Sequence, residues 1–215
     1  GRPRLLTFDL VDPANGDPGV CGGTAEIYLE PHMPNPLLFV VGAGHVGRAV
    51  TDLARWLGFR IVVWDDRPEA IAELSASIQS APGSRTGPDT SIGDPDGSDG
   101  AGARPVATAT GSIDAAIAEH PIGPDASVVM VTRNVSLDVD LLPPLLASGA
   151  GYIGLMGSNR RWTTTRAKLV EAGVEADALD RVVSPIGVEI NAETPEEIAV
   201  SILAQVVANR RAPGA

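Results

Sequence analysis

The chain has 215 residues, of which 44% are hydrophobic and 20% charged, so it can bury the core of one α/β domain plus a smaller piece. This composition excludes an intrinsically disordered protein. The net charge of -11 excludes binding to nucleic acid or to an anionic membrane surface by bulk electrostatics. A single cysteine indicates a reducing compartment, and no apolar stretch reaches the roughly 18 residues of a membrane span. We therefore expect a cytoplasmic protein.

Among the lysines and arginines, arginine predominates. Lys168 is the only lysine, and all other basic residues are arginines. An acidic, lysine-poor surface stays dispersed through its net charge, and concentrated salt screens the self-repulsion. We therefore hypothesise a halophilic protein, adapted to a salt-rich cytosol.

Residues 1–36 are predicted to be an extended segment without a core of its own. The run "DPANGDPG" indicates a loop, and the alternation of residues 24–30 is typical of an edge strand. Apolar residues near the start need a partner surface, so we interpret the segment as the remnant of a smaller domain.

From residue 37 onward, strand and helix patterns alternate along the chain. The run "LLFVV" indicates a buried parallel strand, and Gly58 stops the helix that follows it. Further strands are predicted at 60–64, 127–132 and 152–155, and further helices at 68–77, 112–119, 143–148, 160–172 and from 195. The stretch 80–104, dominated by Gly, Ser, Asp and Pro, predicts a flexible, solvent-exposed insertion. We therefore predict that residues 37–215 form a doubly wound, mostly parallel, Rossmann-like sheet.

The segment "GAGHVG" follows the first buried strand and opens a helix. Gly42 permits a tight turn, Gly44 lets a phosphate approach the backbone, and Gly47 lets the helix pack closely on the strand. The backbone amides that begin the helix, including those of His45 and Val46, are free to bind an anion. We assign the imidazole ring of His45 no chemistry. This turn therefore predicts a site for a phosphate-bearing ligand.

Acidic and basic residues follow the second buried strand. Asp65 stands where a carboxylate would accept hydrogen bonds from a ribose diol, and Asp66 is the less favoured candidate. Asp65 should disfavour a 2′-phosphate, whereas Arg67 could accommodate one, so the choice between NAD and NADP stays open. The alternative is that the turn and its carboxylate are a structural relic that binds no nucleotide.

Four motifs in order give a more specific identification. These are "GVCGGTAEIYLEP", "LLFVVGAGHVGRAVTDLARWLGFRIVVWDDRPE", "GYIGLMGSNRR" and "SPIGVEINAETPEEIAVSILAQ". Together they resemble the XdhC/CoxI family of accessory proteins for molybdenum hydroxylases, from about Leu5 to Asn209. Residues 1–36 would then be the remnant of that family's amino-terminal domain.

The resemblance implies a non-catalytic chaperone role. Such a protein binds molybdenum cofactor, protects it during sulfuration and delivers it to a hydroxylase of the xanthine dehydrogenase or carbon monoxide dehydrogenase type. The implied partners are that client hydroxylase and a cysteine desulfurase, and a homo-oligomer is compatible with the family. Two alternatives stay open: an NAD(P)-linked oxidoreductase, for which no proton donor is evident, and a nucleotide-sensing regulatory module.

The resemblance also implies roles for particular residues of this chain. Cys21 matches the family's cysteine implicated in cofactor binding, and the alternative is an inert buried thiol. The motif "GSNRR" places four polar side chains after a strand, where the arginines could grip a phosphate or lie solvated at a helix start; these are Ser158, Asn159, Arg160 and Arg161. The histidine that family members often carry after "TR" is absent here, so its role is not carried over.

Thr194, Pro195 and Glu197 are predicted to form a helix-capping box.

Overall fold

A computed structural model describes residues 3–9, 24–30, 35–80 and 105–211. The chain divides into two compact units, Gly1–Asn35 and Pro36–Ala215. The prediction for Cys21 and almost all of the predicted flexible insertion at 80–104 lie outside the described residues. Within the described parts, no helix is both long and apolar enough to cross a membrane.

The first unit contains a two-stranded antiparallel ribbon. Strand β1 (Arg4–Asp9) pairs with β2 (Thr24–Leu29), so the predicted strand at 24–30 is confirmed. A ribbon of two strands buries little surface, and its large apolar side chains are accordingly exposed: Leu5, Leu6, Phe8, Ile27, Tyr28 and Leu29.

The second unit alternates strands and helices. Its elements, in chain order, are β3 (Leu37–Val41), α1 (His45–Trp56), β4 (Arg60–Trp64), α2 (Pro68–Ser80), β5 (Val106–Ala109), α3 (Ile113–Glu119), β6 (Ser127–Met130), α4 (Val135–Ala147), β7 (Tyr152–Leu155), α5 (Asn159–Glu171), α6 (Ala176–Leu179), β8 (Val182–Val183) and α7 (Pro195–Arg210). The six strands are parallel in the order β5-β4-β3-β6-β7-β8. This is the doubly wound Rossmann order, so the predicted fold class is confirmed.

The core occupies both faces of this sheet. Because side chains alternate along a strand, Leu38 and Val40 of β3 join one apolar cluster, with helices α1, α2 and α7. Phe39 and Val41 join the other, with helices α3, α4 and α5. A strand buried on both faces needs a continuous apolar run, which is why "LLFVV" predicted it.

The strand order fixes where a ligand can bind. From β3 the chain first winds to β4 and β5 on one side and then crosses to β6 on the other. The loops that follow β3 and β6 therefore diverge and leave a crevice at the carboxyl edge of the sheet. This crevice is the topological switch point of the fold.

One predicted helix was wrong in extent, and strands β1, β5 and β8 and the short helix α6 were missed. The helix predicted at 143–148 instead begins at Val135, because the Asn134 side chain accepts a hydrogen bond from the Leu137 amide at 2.9 Å and caps it. Pro143 and Pro144 lie inside the helix, although proline usually marks a helix start. Strand β5 was missed because its four residues are only partly buried and carry little apolar signal.

Candidate ligand-binding site

A cavity of about 190 Å³ lies at the switch point. It is lined by Gly42, Gly44, Trp64, Asp65, Asp66, Arg67, Val131, Thr132, Arg133 and Leu137, which follow or end strands β3, β4 and β6 or begin α4. Pockets for drug-sized ligands run to roughly 300–1,000 Å³. The crevice is therefore of a size to enclose one portion of a dinucleotide or a similar cofactor.

Two glycines of the turn are required by the protein itself. Gly42 has a φ of +118°, its amide donates to the Trp64 carbonyl at 2.7 Å, and a Cβ there would lie 2.9 Å from the Val131 carbonyl oxygen. A Cβ on Gly47 would lie 1.8 Å from the Gly42 carbonyl oxygen. These positions set the tight turn and the close approach of α1 to β3.

Gly44 differs from both. Its φ of -71° suits any residue, and a Cβ there would meet no atom of the described residues within 4 Å. Gly44 also lines the crevice and caps α1, whose first turn has no acidic residue. The positive end of the α1 dipole therefore borders the crevice beside an open space. His45, next in the chain, is exposed.

Asp65 holds the loops after β3 and β4 together. Its side chain is 2% exposed, and its Oδ2 accepts from the Ala43 amide at 2.7 Å. Its Oδ1 accepts from the Arg67 amide at 3.0 Å, and the Arg67 guanidinium donates to both oxygens at 2.9 Å. Burial alone would raise the pKa of Asp65, but hydrogen bonds from Arg67 and Ala43 lower it to about 2. The carboxylate is ionised and fully engaged.

A second ion pair spans the crevice. The guanidinium of Arg133, after β6, donates to Asp66, after β4, with Nη1 2.8 Å from Oδ1 and Nη2 2.6 Å from Oδ2. This bidentate hydrogen bonding raises the pKa of Arg133. Arg133 remains 46% exposed and Asp66 33% exposed. The pair therefore joins the two sides of the switch point while staying in contact with solvent.

The "GSNRR" residues lie outside the crevice lining, and the interpretation of Arg161 needs correction. Arg161 is neither solvated nor free: it donates to both oxygens of the fully buried Asp138, at 2.8 Å each, and to the Thr132 carbonyl and hydroxyl oxygens. Its guanidinium therefore ties α5 to α4 and to the end of β6. Ser158 caps α5 by accepting from the Arg161 amide at 3.2 Å.

Arg160 and Asn159 have exposed side chains at the start of α5. The predicted capping box of α7 is confirmed, with Thr194 and Glu197 in reciprocal hydrogen bonds. Within the described parts of the chain, no group of three or more His, Cys, Asp or Glu residues is arranged to hold a metal.

The structure thus brings five predicted residues into one crevice: Gly42, Gly44, Asp65, Asp66 and Arg67. Sequence reasoning missed Arg133 and Thr132, which line the same crevice, and Asp138 behind them. The signal that could have found Arg133 is the strand order, because residues after the first and fourth strands of a Rossmann sheet are neighbours.

Comparison with known proteins places this chain in a family. The family model described as the XdhC Rossmann domain matches residues 38–206. The uncharacterized protein YqeB of Escherichia coli strain K12 is 32% identical over 99% of this chain and 35% of its own length. A probable xanthine dehydrogenase subunit of Bacillus subtilis strain 168 is 27% identical over 87% of this chain and 47% of its own length.

A solved structure agrees with these matches. A xanthine dehydrogenase from Bacillus halodurans superposes with a TM-score of 0.57 at 25% identity, over 94% of this chain and 50% of that one. The chain thus spans between a third and a half of the two curated relatives. The resemblance found in the sequence motifs is confirmed: the chain belongs to the XdhC family through its Rossmann domain.

Proposed function

We propose that this chain is part of an accessory protein for a molybdenum hydroxylase of the xanthine dehydrogenase type, and that its crevice binds a phosphate-bearing cofactor. The names of the Bacillus relatives support the link to xanthine dehydrogenase. The client hydroxylase, a cysteine desulfurase and a homo-oligomeric partner belong to this proposal.

The observation that most supports a bound ligand is the environment of Gly44. The fold needs Gly42 and Gly47 for steric reasons, whereas among the described residues the Cβ position of Gly44 is empty and no side chain caps the start of α1 beside it. Glycine at that position is explained if a ligand phosphate approaches the backbone there.

The proposed ligand is molybdenum cofactor, whose pterin carries a phosphate ester that the α1 amides would hold. When bound, this group would bring the molybdenum centre that is sulfurated before delivery to the client enzyme. The residues of this chain would position and shield it, and the thiolate of Cys21 is chemically suited to molybdenum or sulfur. In this scheme the chain performs no bond-breaking step.

The second candidate is a nucleotide-sensing module, favoured by the dinucleotide-type strand order and by the crevice at its switch point. Binding of NAD or NADP would then change association with a partner. An oxidoreductase is less favoured, because the titratable side chains of the crevice lining are aspartates and arginines that already form ion pairs. Proton transfer to a substrate needs a donor that is not committed in this way.

A glycine substitution tests the ligand site. Gly44→Ala should fold normally, because the new Cβ enters open space and costs about 0.5 kcal/mol as a weaker helix cap. We expect it to weaken binding of the true ligand at least about tenfold. Calorimetry with molybdopterin, NAD, NADP and AMP measures this, beside melting temperatures to show that the variant is folded.

Gly123→Ala is the matched control, since its Cβ would also meet no atom within 4 Å in the described parts of the chain, and Gly123 lies outside the crevice lining. It should leave affinity unchanged. If none of the four compounds binds the wild-type chain, or if Gly44→Ala binds as tightly as Gly123→Ala, the proposed site is wrong.

A further inference from the structure

The end of the crevice that lies beside β4 determines which nucleotide it can accept. In Rossmann sites, the loop after the second strand meets the ribose of the adenosine half. A free carboxylate there accepts hydrogen bonds from the 2′- and 3′-hydroxyls and repels a 2′-phosphate. An arginine there instead attracts that phosphate. Strand β4 is the second strand of this sheet, and Asp65, Asp66 and Arg67 follow it.

Asp65 is not a free carboxylate. Each of its oxygens accepts two hydrogen bonds, from the Ala43 amide, the Arg67 amide and the Arg67 guanidinium. A carboxylate oxygen offers about two lone-pair sites, so none is left for a ribose hydroxyl. The charge of Asp65 is also neutralised by the guanidinium that it holds. The usual basis for preferring NAD over NADP is therefore absent.

Two guanidinium groups remain at this end of the crevice. Arg67 is 39% exposed, and its Nη1 makes no hydrogen bond to any residue that the structure describes. Arg133 approaches from the other side and is 46% exposed. Hydrogen bonding to Asp65 raises the pKa of Arg67, whereas the nearby charge of Arg133 lowers it, so the two cations influence each other. Like charges in proximity favour an anion between them.

The partner of Arg133 is replaceable. Asp66 is one third exposed, and an exposed ion pair contributes only about 0–1 kcal/mol. A phosphate presents three acceptor oxygens and up to two negative charges, so it competes well for a bidentate guanidinium. Replacing Asp65 on Arg67 would be far less favourable, because it would leave a buried carboxylate without its partner.

We propose that the crevice selects a dinucleotide with an adenosine 2′-phosphate, that is NADP over NAD, and that Arg133 exchanges Asp66 for this phosphate while Arg67 contacts it with Nη1. This inference rests on the second candidate function, in which the crevice binds a nicotinamide dinucleotide rather than molybdenum cofactor. It makes Arg133 and Arg67 the specificity-determining residues, and Asp66 a competitor that holds Arg133 until the ligand arrives.

Calorimetry of the full chain with NADP, NAD, 2′-AMP, 5′-AMP and molybdopterin tests the proposal. We expect NADP to bind at least about tenfold more tightly than NAD, and 2′-AMP more tightly than 5′-AMP. Arg133→Gln should remove most of this preference, because it should weaken NADP binding far more than NAD binding. Asp66→Asn should increase NADP affinity, because it releases Arg133, and the gain should shrink as salt is added.

Arg60→Gln is the matched control, since it removes the same charge from an exposed arginine at the amino end of β4, outside the crevice lining. It should leave both affinities unchanged. The proposal is overturned if NAD binds as tightly as NADP, or if Arg133→Gln weakens both equally. Binding of NAD alone or of molybdopterin alone would overturn this inference and leave the proposed ligand site intact. Failure of every compound, molybdopterin included, would remove both.

Discussion

At the scale of single residues, Asp65 connects the glycine turn to the loop that carries the arginines. Its Oδ2 fixes the Ala43 amide immediately before Gly44, and both of its oxygens fix Arg67. One buried carboxylate therefore sets the position of the backbone that would face a phosphate and of the guanidinium beside it. This role in organising the site differs from the ribose contact that sequence position suggests.

The same contacts predict a pH dependence of stability. The pKa of Asp65 is about 2 in the folded chain and about 3.9 when unfolded, so its ionised form stabilises the fold above pH 4. As the pH falls from about 4 to about 2, the unfolded chain binds a proton at this carboxylate before the folded chain does. The stabilisation of about 2 kcal/mol is therefore lost over this range. Asp65→Asn should therefore be less stable than wild type at pH 7, and the difference should narrow below pH 4.

Urea unfolding of both proteins from pH 7 to pH 2.5 measures this narrowing. Asp125→Asn is the charge-matched control, because Asp125 is exposed and makes no hydrogen bond to a described residue. Its stability should follow that of wild type throughout. If the difference in the free energy of unfolding between wild type and Asp65→Asn stays constant down to pH 2.5, the assigned pKa is wrong.

At the scale of elements, one ion pair joins two helices and a strand. Arg161 of α5 reaches the buried Asp138 of α4 and the Thr132 carbonyl oxygen after β6. This arrangement fixes the segment from which Arg133 extends into the crevice. The arginine therefore acts on the site through the position of its neighbours.

Removing either Arg161 or Asp138 should destabilise the folded chain. Arg161→Gln leaves Asp138 buried without its counter-charge, and we expect a loss of about 3–5 kcal/mol in the free energy of unfolding. Arg160→Gln, one position earlier and exposed, should change it by less than about 0.5 kcal/mol. Guanidinium chloride unfolding compares the two variants. Equal, small effects would show that Arg161 is solvated, which is the alternative that the sequence leaves open.

The elements also show how far sequence reasoning reaches. Periodicity and glycine placement predicted β3, β4, β7 and the Rossmann class, because these signals are local and each strand needs an apolar run. The turn, Asp65 and Arg67 followed from the same local spacing. Arg133 and the Asp138–Arg161 pair did not, because their contacts join segments 67 and 23 residues apart. Such partners become visible only when the strand order is known.

At the scale of the whole molecule, local and net charge oppose each other. The chain carries a net charge of -11, which repels anionic ligands at long range. The crevice counters this with helix amides and two arginines at one edge of the sheet. An anion bound at the proposed site would therefore be held by short-range contacts, and salt should speed its approach by screening the repulsion.

Net charge also bears on stability, and it gives a prediction for the folded chain. Repulsion among excess carboxylates disfavours the compact state at low salt, and KCl shortens the screening length from about 10 Å at 0.1 M to about 3 Å at 1 M. Exposed ion pairs weaken in parallel, but each contributes only about 0–1 kcal/mol. We therefore expect the melting temperature to rise between 0.05 and 0.5 M KCl. A sucrose series, which stabilises by exclusion without screening, is the control. A melting temperature that is flat or falls over this KCl range would refute salt adaptation.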